Sequence, residues 1–195
     1  MTEKKEHLEH TIIYGKEARE SLKKGIDRVA NAVKVTLGAQ GRNVLISNNR
    51  GYSPHITKDG VTVAKSIEVK DALERQGALL IKEVAETTNT AVGDGTTTST
   101  VLAQKLCNDG LDIIEDGSIN IMQFRKGMES AREEVSKIIS SESVKITSKE
   151  DVKNIASISA NNDTVIGSLI SDAYEKIGKH GVISIDNSEN TETYI

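Results

Sequence analysis

Gly93-Asp94-Gly95-Thr96-Thr97-Thr98-Ser99-Thr100 lies between two amphipathic stretches, and its reading decides both the architecture and the chemistry of the chain. Upstream, Leu73, Gly77, Leu80, Ile81, Val84 and Thr88 recur at helical spacing and predict a helix over about 71–90 with these residues on its buried face. Downstream, a second helix starts in the threonine run and continues through Val101, Leu102, Lys105 and Leu106 to Gly110. The glycines between them permit positive φ and close backbone approach. A helix N-terminus presents unpaired N–H groups and partial positive charge, which suit phosphate oxygens. The hydroxyls of Thr96, Thr97 and Thr98 add donors, and Asp94 offers a hard oxygen for Mg²⁺. The same residues also make an ordinary Asp or Thr cap in a glycine turn. The unbroken run of hydroxyl side chains from Thr96 to Thr100 nevertheless exceeds what capping requires.

Outward from this segment the pattern is mainly helical. A first helix is expected over about 16–37, with Leu22, Ile26, Val29 and Val33 as its apolar stripe and Gly38 as a left-handed cap. A short strand, Asn43 to Ser47, is followed by a turn-prone stretch from Asn48 to Pro54 and by His55-Ile56-Thr57 as its antiparallel partner. Pro54 stands at the strand edge, where its missing N–H is tolerated. A helix over about 121–141 places Phe124, Met128, Ala131, Val135 and Ile138 along one side. Ser148-Lys149-Glu150-Asp151 is a capping signature opening a helix through Val152, Ile155 and Ala156. Asp163 caps another, with the stripe Ile166, Leu169, Ile170, Ala173 and Ile177, ended by Lys179-His180-Gly181. Val182 to Asp186 alternates like a strand. The fold class is therefore mainly α (α+β), multihelical with a small β-hairpin. The polar stretch Ser140 to Ser143 marks a domain boundary, giving domains 1–141 and 142–195.

Composition narrows the function classes. The chain has 195 residues, 36% hydrophobic and 28% charged, which fits a soluble globular protein rather than a disordered or membrane chain. With one Phe, four Tyr and no Trp, the core must be aliphatic. A net charge of −4, with no basic block interleaved with aromatics, argues against a nucleic-acid partner. Cys107 is the only cysteine, so no intrachain disulfide or cysteine-rich zinc site can form, and it reads as a small apolar helix residue. No secretory leader and no membrane-length apolar run is present, so the expectation is a cytoplasmic protein without a membrane partner. The four histidines, His7, His10, His55 and His180, show no metal spacing. There is also no P-loop, nucleophile elbow, zinc-protease motif or catalytic triad.

Three further segments are ambiguous individually. Thr36 to Asn43 joins helix to strand through Gly38 and Gly41, either as a cap and tight turn or as backbone passing close to a ligand. Thr57-Lys58-Asp59-Gly60 contains an Asp-Gly hairpin signal. The alternative is that it supplies Lys58 as a positive phosphate neighbour and Asp59 as a carboxylate orienting water. Ile158-Ser159-Ala160-Asn161 could touch a nucleotide or form an exposed helix corner.

Order and spacing resolve what the segments do not. Val33-Lys34-Val35-Thr36-Leu37-Gly38, Gly41-Arg42-Asn43-Val44, Ile56-Thr57-Lys58-Asp59-Gly60-Val61, Gly93-Asp94-Gly95-Thr96-Thr97-Thr98 and Ile158-Ser159-Ala160-Asn161 together resemble the group I (GroEL-like) chaperonins, from about Gly15 onward. The resemblance implies an N-terminal portion only. Residues 1–141 would be the first half of an ATP-binding equatorial domain, and 142–195 the ascending half of an intermediate domain. It implies an ATPase that binds ATP with Mg²⁺ and K⁺. Thr36, Leu37, Gly38, Ala39, Lys58, Asp94, Gly95, Thr96, Thr97, Thr98, Ile158 and Ser159 would bind nucleotide. Asp94 would ligate Mg²⁺, Thr36, Lys58 and Thr97 would hold K⁺, and Asp59 would position the attacking water.

The implied partners are a homo-oligomeric, seven-membered ring, non-native client proteins and a GroES-like co-chaperonin. The implied function is an ATP-dependent molecular chaperone subunit. The alternative is a truncated, non-hydrolysing assembly module of such a ring; an unrelated small ATP-binding enzyme is the third reading. Ala39 departs from the family's usual proline after Thr-Leu-Gly, which leaves φ unset there and implies a looser loop. The family's main catalytic aspartate belongs to a descending segment that 1–195 does not contain, so this portion alone should hydrolyse ATP poorly. Thr191 to Ile195 reads as the opening of a strand, and the expectation is that the reading continues.

Overall fold

Residues 12–38, 40–47, 53–178, 181–187, 193 and 195 are described by the computed structural model. His7, His10, Ala39, the turn at 48–52, Lys179, His180 and most of the final run lie outside them. Among the described residues the chain forms seven α-helices and one antiparallel two-stranded sheet. Contacts divide it into two units, Met1–Arg125 and Lys126–Ile195.

In the first unit, α1 (Gly15–Val33) buries the expected stripe: Ile26, Val29 and Val33 are at most 1% exposed, while Leu22 is half-buried. A 3-10 turn, Lys34–Thr36, tightens its end, and Gly38 follows at φ +71°. The hairpin forms as expected from β1 (Val44–Ile46) and β2 (His55–Thr57), with Val44 opposite Thr57 and Leu45 opposite Ile56. Asp59 does not make a hairpin turn. Its backbone is extended (φ −73°) and its carboxylate accepts from Thr62 N–H, so it caps an unexpected short helix, α2 (Gly60–Ser66).

Two long helices follow, α3 (Ala72–Val92) and α4 (Thr96–Asp116). Asp71 caps α3 by accepting from Leu73 and Glu74 N–H. The buried face of α3 differs from the expected one. Gly77, Ala78, Ile81 and Ala85 are buried, whereas Leu80 is 50% exposed. The cause is a close crossing with α1: a Cβ on Gly25 would stand 1.8 Å from Glu74 O, and one on Gly77 would stand 2.1 Å from Leu22 O. Only small residues allow two helix backbones to approach this closely. α4 runs past Gly110, its expected end, to a left-handed cap at Gly117. Ile26, Val29, Ala30 and Val33 meet Val61, Val63 and Ala64 of α2, Val69, and Ala78, Ile81 and Ala85 of α3 in one aliphatic core, as the scarcity of aromatics requires.

α5 (Ile121–Glu142) ends within the serine-rich stretch, one residue past its expected end, and none of its residues is buried. Its apolar stripe is present at the right spacing but uncovered, with Met128, Val135 and Ile138 41–53% exposed. No helix of the described residues is long and apolar enough to cross a membrane.

In the second unit, α6 (Lys149–Ser159) opens with a full capping box: Ser148 Oγ accepts from Asp151 N–H, while Asp151 accepts from Ser148 N–H. α7 (Thr164–Ile177) is capped by Asp163. The α7 stripe is also displaced toward small residues. Gly167, Ser171 and Ala173 are buried and Ile166 is 45% exposed, because Gly167 packs directly on Ser157. The alternating run 182–186 forms no strand. Among the described residues no segment pairs with it, and Val182 and Ile185 are 90% and 84% exposed.

Lys149 pins the two helices together, with Nζ 2.6 Å from Asp172 and 2.7 Å from Glu175. These carboxylates raise the Lys149 pKa, and Lys149 in turn lowers that of Asp172. The raised ammonium pKa gives stability that is complete below the ordinary lysine value and lost as pH rises through the folded value. The lowered carboxyl gives stability present above the ordinary aspartate value and lost as pH falls through the folded one. The latch is therefore at full strength between about pH 4 and pH 10. All three side chains are exposed, so screening limits its strength. Lys149→Met should lower the melting temperature slightly at low salt, and the difference should vanish in about 1 M salt, where screening acts within about 3 Å. An unchanged melting temperature at low salt would remove the latch.

Candidate functional site

Gly93 and Gly95 bracket Asp94, both left-handed at φ +78° and +80°. Gly93 closes α3 by donating to Asn89 O at 2.9 Å, and Gly95 opens α4. Both conformations are disfavoured for residues with a Cβ. Two helices are thereby joined by a three-residue turn that leaves Asp94 on the outside, its Oδ1 accepting from Gly95 N–H at 2.6 Å. Beside the turn the two helices are tied through Thr88, which donates to Ser99 Oγ at 3.0 Å, while Ser99 donates to Thr96 O at 3.0 Å. Thr100, fully buried, also donates to Thr96 O, at 2.8 Å. Part of the hydroxyl run is therefore structural, and its last two members hold the helix start in place.

No side chain caps α4. The N–H groups of its first turn, at Thr96, Thr97 and Thr98, point out of the helix with the positive end of the dipole behind them. Thr96 is 7% exposed, Thr97 half-buried and Thr98 exposed.

Two other expected segments reach this helix start. Thr36, 8% exposed, donates its hydroxyl proton to Val33 O at 2.8 Å and lies 3.0 Å from Thr97 Oγ1. With the Thr36 proton committed to the carbonyl, Thr97 is the donor in that second bond. On another side stands Gly60, beside Asp59. Its φ is not positive; what it supplies is space, since a Cβ there would lie 2.4 Å from Thr97 Oγ1 and 3.0 Å from Thr96 Oγ1. The first turn of α4, the end of the α1 extension and the start of α2 thus converge.

The remaining expected residues are placed as follows. Leu37 is extended and 44% exposed, leading into left-handed Gly38. The 36–43 loop closes on itself, with Arg42 N–H donating to Val35 O at 2.8 Å and Gly41 N–H to Gly38 O at 3.0 Å. Gly41 is required by the chain's own backbone, as a Cβ would stand 2.2 Å from Thr36 O. Lys58 is half-buried between β2 and α2. Ile158 and Ser159 end α6 in the second unit, both exposed. Ala39 lies outside the described residues.

Sequence reasoning missed Gly60 and Thr62. Gly60 was hidden because a glycine required for space looks the same in sequence as one required for φ. Thr62 carried a signal, as Asp59-x-x-Thr62 has the N-cap to N3 spacing, but the Asp-Gly pair drew the reading toward a turn. Among the described residues no three His, Cys, Asp or Glu side chains cluster as a ready metal cage.

Comparison with known proteins gives one answer. Residues 29–194 match the model of the TCP-1/cpn60 chaperonin family. Among solved structures, the chain is similar to the chaperonin gp146 from the bacteriophage EL 2 (Pseudomonas aeruginosa), crystallised in the presence of ATP-BeFx. In one crystal form the identity is 30% and the TM-score 0.69, over 84% of this chain and 28% of that one. A second crystal form of the same protein gives the same identity and TM-score and 29% of its length. A group III chaperonin in the open state shares the fold, with 24% identity and a TM-score of 0.67 over 82% of this chain and 32% of that one. The chain therefore spans under a third of the length of the structures it matches.

Proposed function

The chain belongs to the TCP-1/cpn60 chaperonin family, and from that premise we propose that it binds Mg-ATP at the start of α4 as part of an ATP-driven protein-folding ring. The carrying observation is the convergence of Thr36 and Gly60 on the uncapped first turn of α4, beside the Asp94 turn. Phosphate oxygens would take the N–H groups of Thr96, Thr97 and Thr98, where backbone donors and the helix dipole favour negative charge, while Gly95, whose N–H is held by Asp94, would pass its backbone close beside them. Asp94 suits Mg²⁺, which characteristically takes one or two carboxylates together with substrate phosphates rather than a cage of side chains. Thr36, the Lys58 carbonyl and Thr97 would hold K⁺, which together with Mg²⁺ offsets charge on the transferring phosphoryl group. The hydrogen-bond count agrees with that role for Thr97: its hydroxyl proton goes to Thr36, so its lone pairs remain for a cation. Leu37, Gly38 and Ala39 would border the nucleotide, and Ile158 and Ser159 would approach its base or ribose.

On this reading residues 1–141 are half of an equatorial domain and 142–195 part of an intermediate domain. In a complete cytoplasmic, seven-membered ring, with a GroES-like co-chaperonin, ATP turnover would alternate the affinity for non-native polypeptide. Calorimetric titration tests the binding step: ATP should bind saturably with Mg²⁺ and far more weakly with EDTA, and no Mg²⁺-dependent binding overturns the reading. Asp59→Ala should keep nucleotide affinity within about twofold and slow hydrolysis about a hundredfold, the scale of a lost general base or water-orienting group. Unaltered turnover would take Asp59 out of the mechanism.

A further inference from the structure

Asp59 is exposed and belongs to a loop, yet a water-orienting carboxylate must be held to a few tenths of an ångström. The structure supplies that restraint through one residue. Thr62 N–H donates to Asp59 Oδ2 at 2.9 Å, and Thr62 Oγ1 donates to the same oxygen at 2.5 Å. From the other side, Asp59 N–H donates to Thr57 Oγ1 at 3.1 Å. Capping α2 needs only the Thr62 N–H bond. The hydroxyl bond adds nothing to the cap and fixes the carboxylate's rotation about its terminal torsion, which is otherwise broad. Both donors of Thr62 are on Oδ2. Oδ1 therefore keeps its lone pairs, and the next residue, Gly60, abuts the start of α4.

We infer that Thr62 is a positioning residue: by anchoring Asp59 Oδ2 through its hydroxyl, it dedicates Oδ1 to the attacking water. The inference rests on the proposed role of Asp59 and is confined to which oxygen acts and what orients it. A hydroxyl here has a requirement that an apolar isostere cannot meet, whereas serine can.

The experiment compares Thr62→Val, Thr62→Ser and Asp59→Ala in the ATP-hydrolysing assembly that contains this chain, measuring Mg-ATP affinity and single-turnover hydrolysis. Thr62→Val keeps the backbone bond and removes only the hydroxyl bond. It should slow hydrolysis about tenfold, part of the hundredfold that misplacing a reacting group costs, with affinity unchanged. Thr62→Ser should restore most of the rate. If Asp59→Ala slows hydrolysis while Thr62→Val does not, this inference fails and the role of Asp59 stands. If Asp59→Ala has no effect, the underlying reading fails with it. A Thr62→Val loss of rate and affinity together, or an equal loss in Thr62→Ser, makes Thr62 merely structural and overturns the proposal. Should Thr62→Val not fold, Thr62→Ala read against Thr62→Ser decides by the same criteria.

Discussion

Gly25→Ala should destabilise the first unit by about 3 kcal/mol and lower its melting temperature by about 10 °C, the upper range for overpacking a tight core. Alanine is the better helix former by about 1 kcal/mol, so propensity alone predicts stabilisation. Packing reverses the sign. The new Cβ would stand 1.8 Å from Glu74 O and 2.8 Å from Ala78 N, both backbone atoms of α3 that no rotamer change can move aside. α1 and α3 would have to separate, opening gaps along the buried line of Ile26, Val29, Ile81 and Ala85. Gly127→Ala on α5 is the control. Nothing lies within 4 Å of its Cβ position, so there the propensity gain should appear undiminished. A thermal melt in which Gly25→Ala matches or exceeds the parent would mean that the two helices do not cross as described.

Asp94→Ala should reduce Mg-ATP affinity at least about a hundredfold, a loss of about 2.7 kcal/mol. The alanine variant removes two things together: the charged oxygen offered to Mg²⁺ and the bond from Gly95 N–H that shapes the turn. Asp94→Asn separates them, since its amide oxygen can still accept from Gly95 N–H but carries no charge. If Mg²⁺ ligation is the role, Asn should bind Mg-ATP nearly as poorly as Ala, while ATP measured in EDTA is bound alike by Asn and parent. Calorimetric titration showing that Asn binds Mg-ATP like the parent would make Asp94 a turn residue and return the segment to ordinary capping.

Much of the fold was legible because its signals are local. The stripe of α1, the Ser148–Asp151 box and the Asp163 cap depend on residues within a turn or two of each other, and each forms as expected. The core's aliphatic character followed from counting aromatic residues. The failures share a cause. Leu80 and Ile166 were expected to be buried because they are large and apolar, but α3 and α7 pack through Gly77, Ala78, Gly167 and Ser171. Hydrophobicity reports what gains from burial; it does not report how close a neighbouring backbone comes. Val182 to Asp186 alternates correctly yet forms no strand, since a strand needs a partner to complete its ladder and no segment among the described residues pairs with it.

The site divides the same way. Sequence by itself determined that Gly93 to Thr98 would be a glycine-bracketed helix start carrying a carboxylate and several hydroxyls, since backbone freedom, capping and the helix dipole are properties of a short segment. It also determined the family, through the order of five such segments. Only the tertiary structure decided that Thr36 would meet Thr97 across 61 positions and that Gly60 serves closeness rather than turn geometry. Those are contacts between elements whose distances depend on how α1, α2 and α4 pack, and packing is a property of the whole core rather than of any stretch of chain.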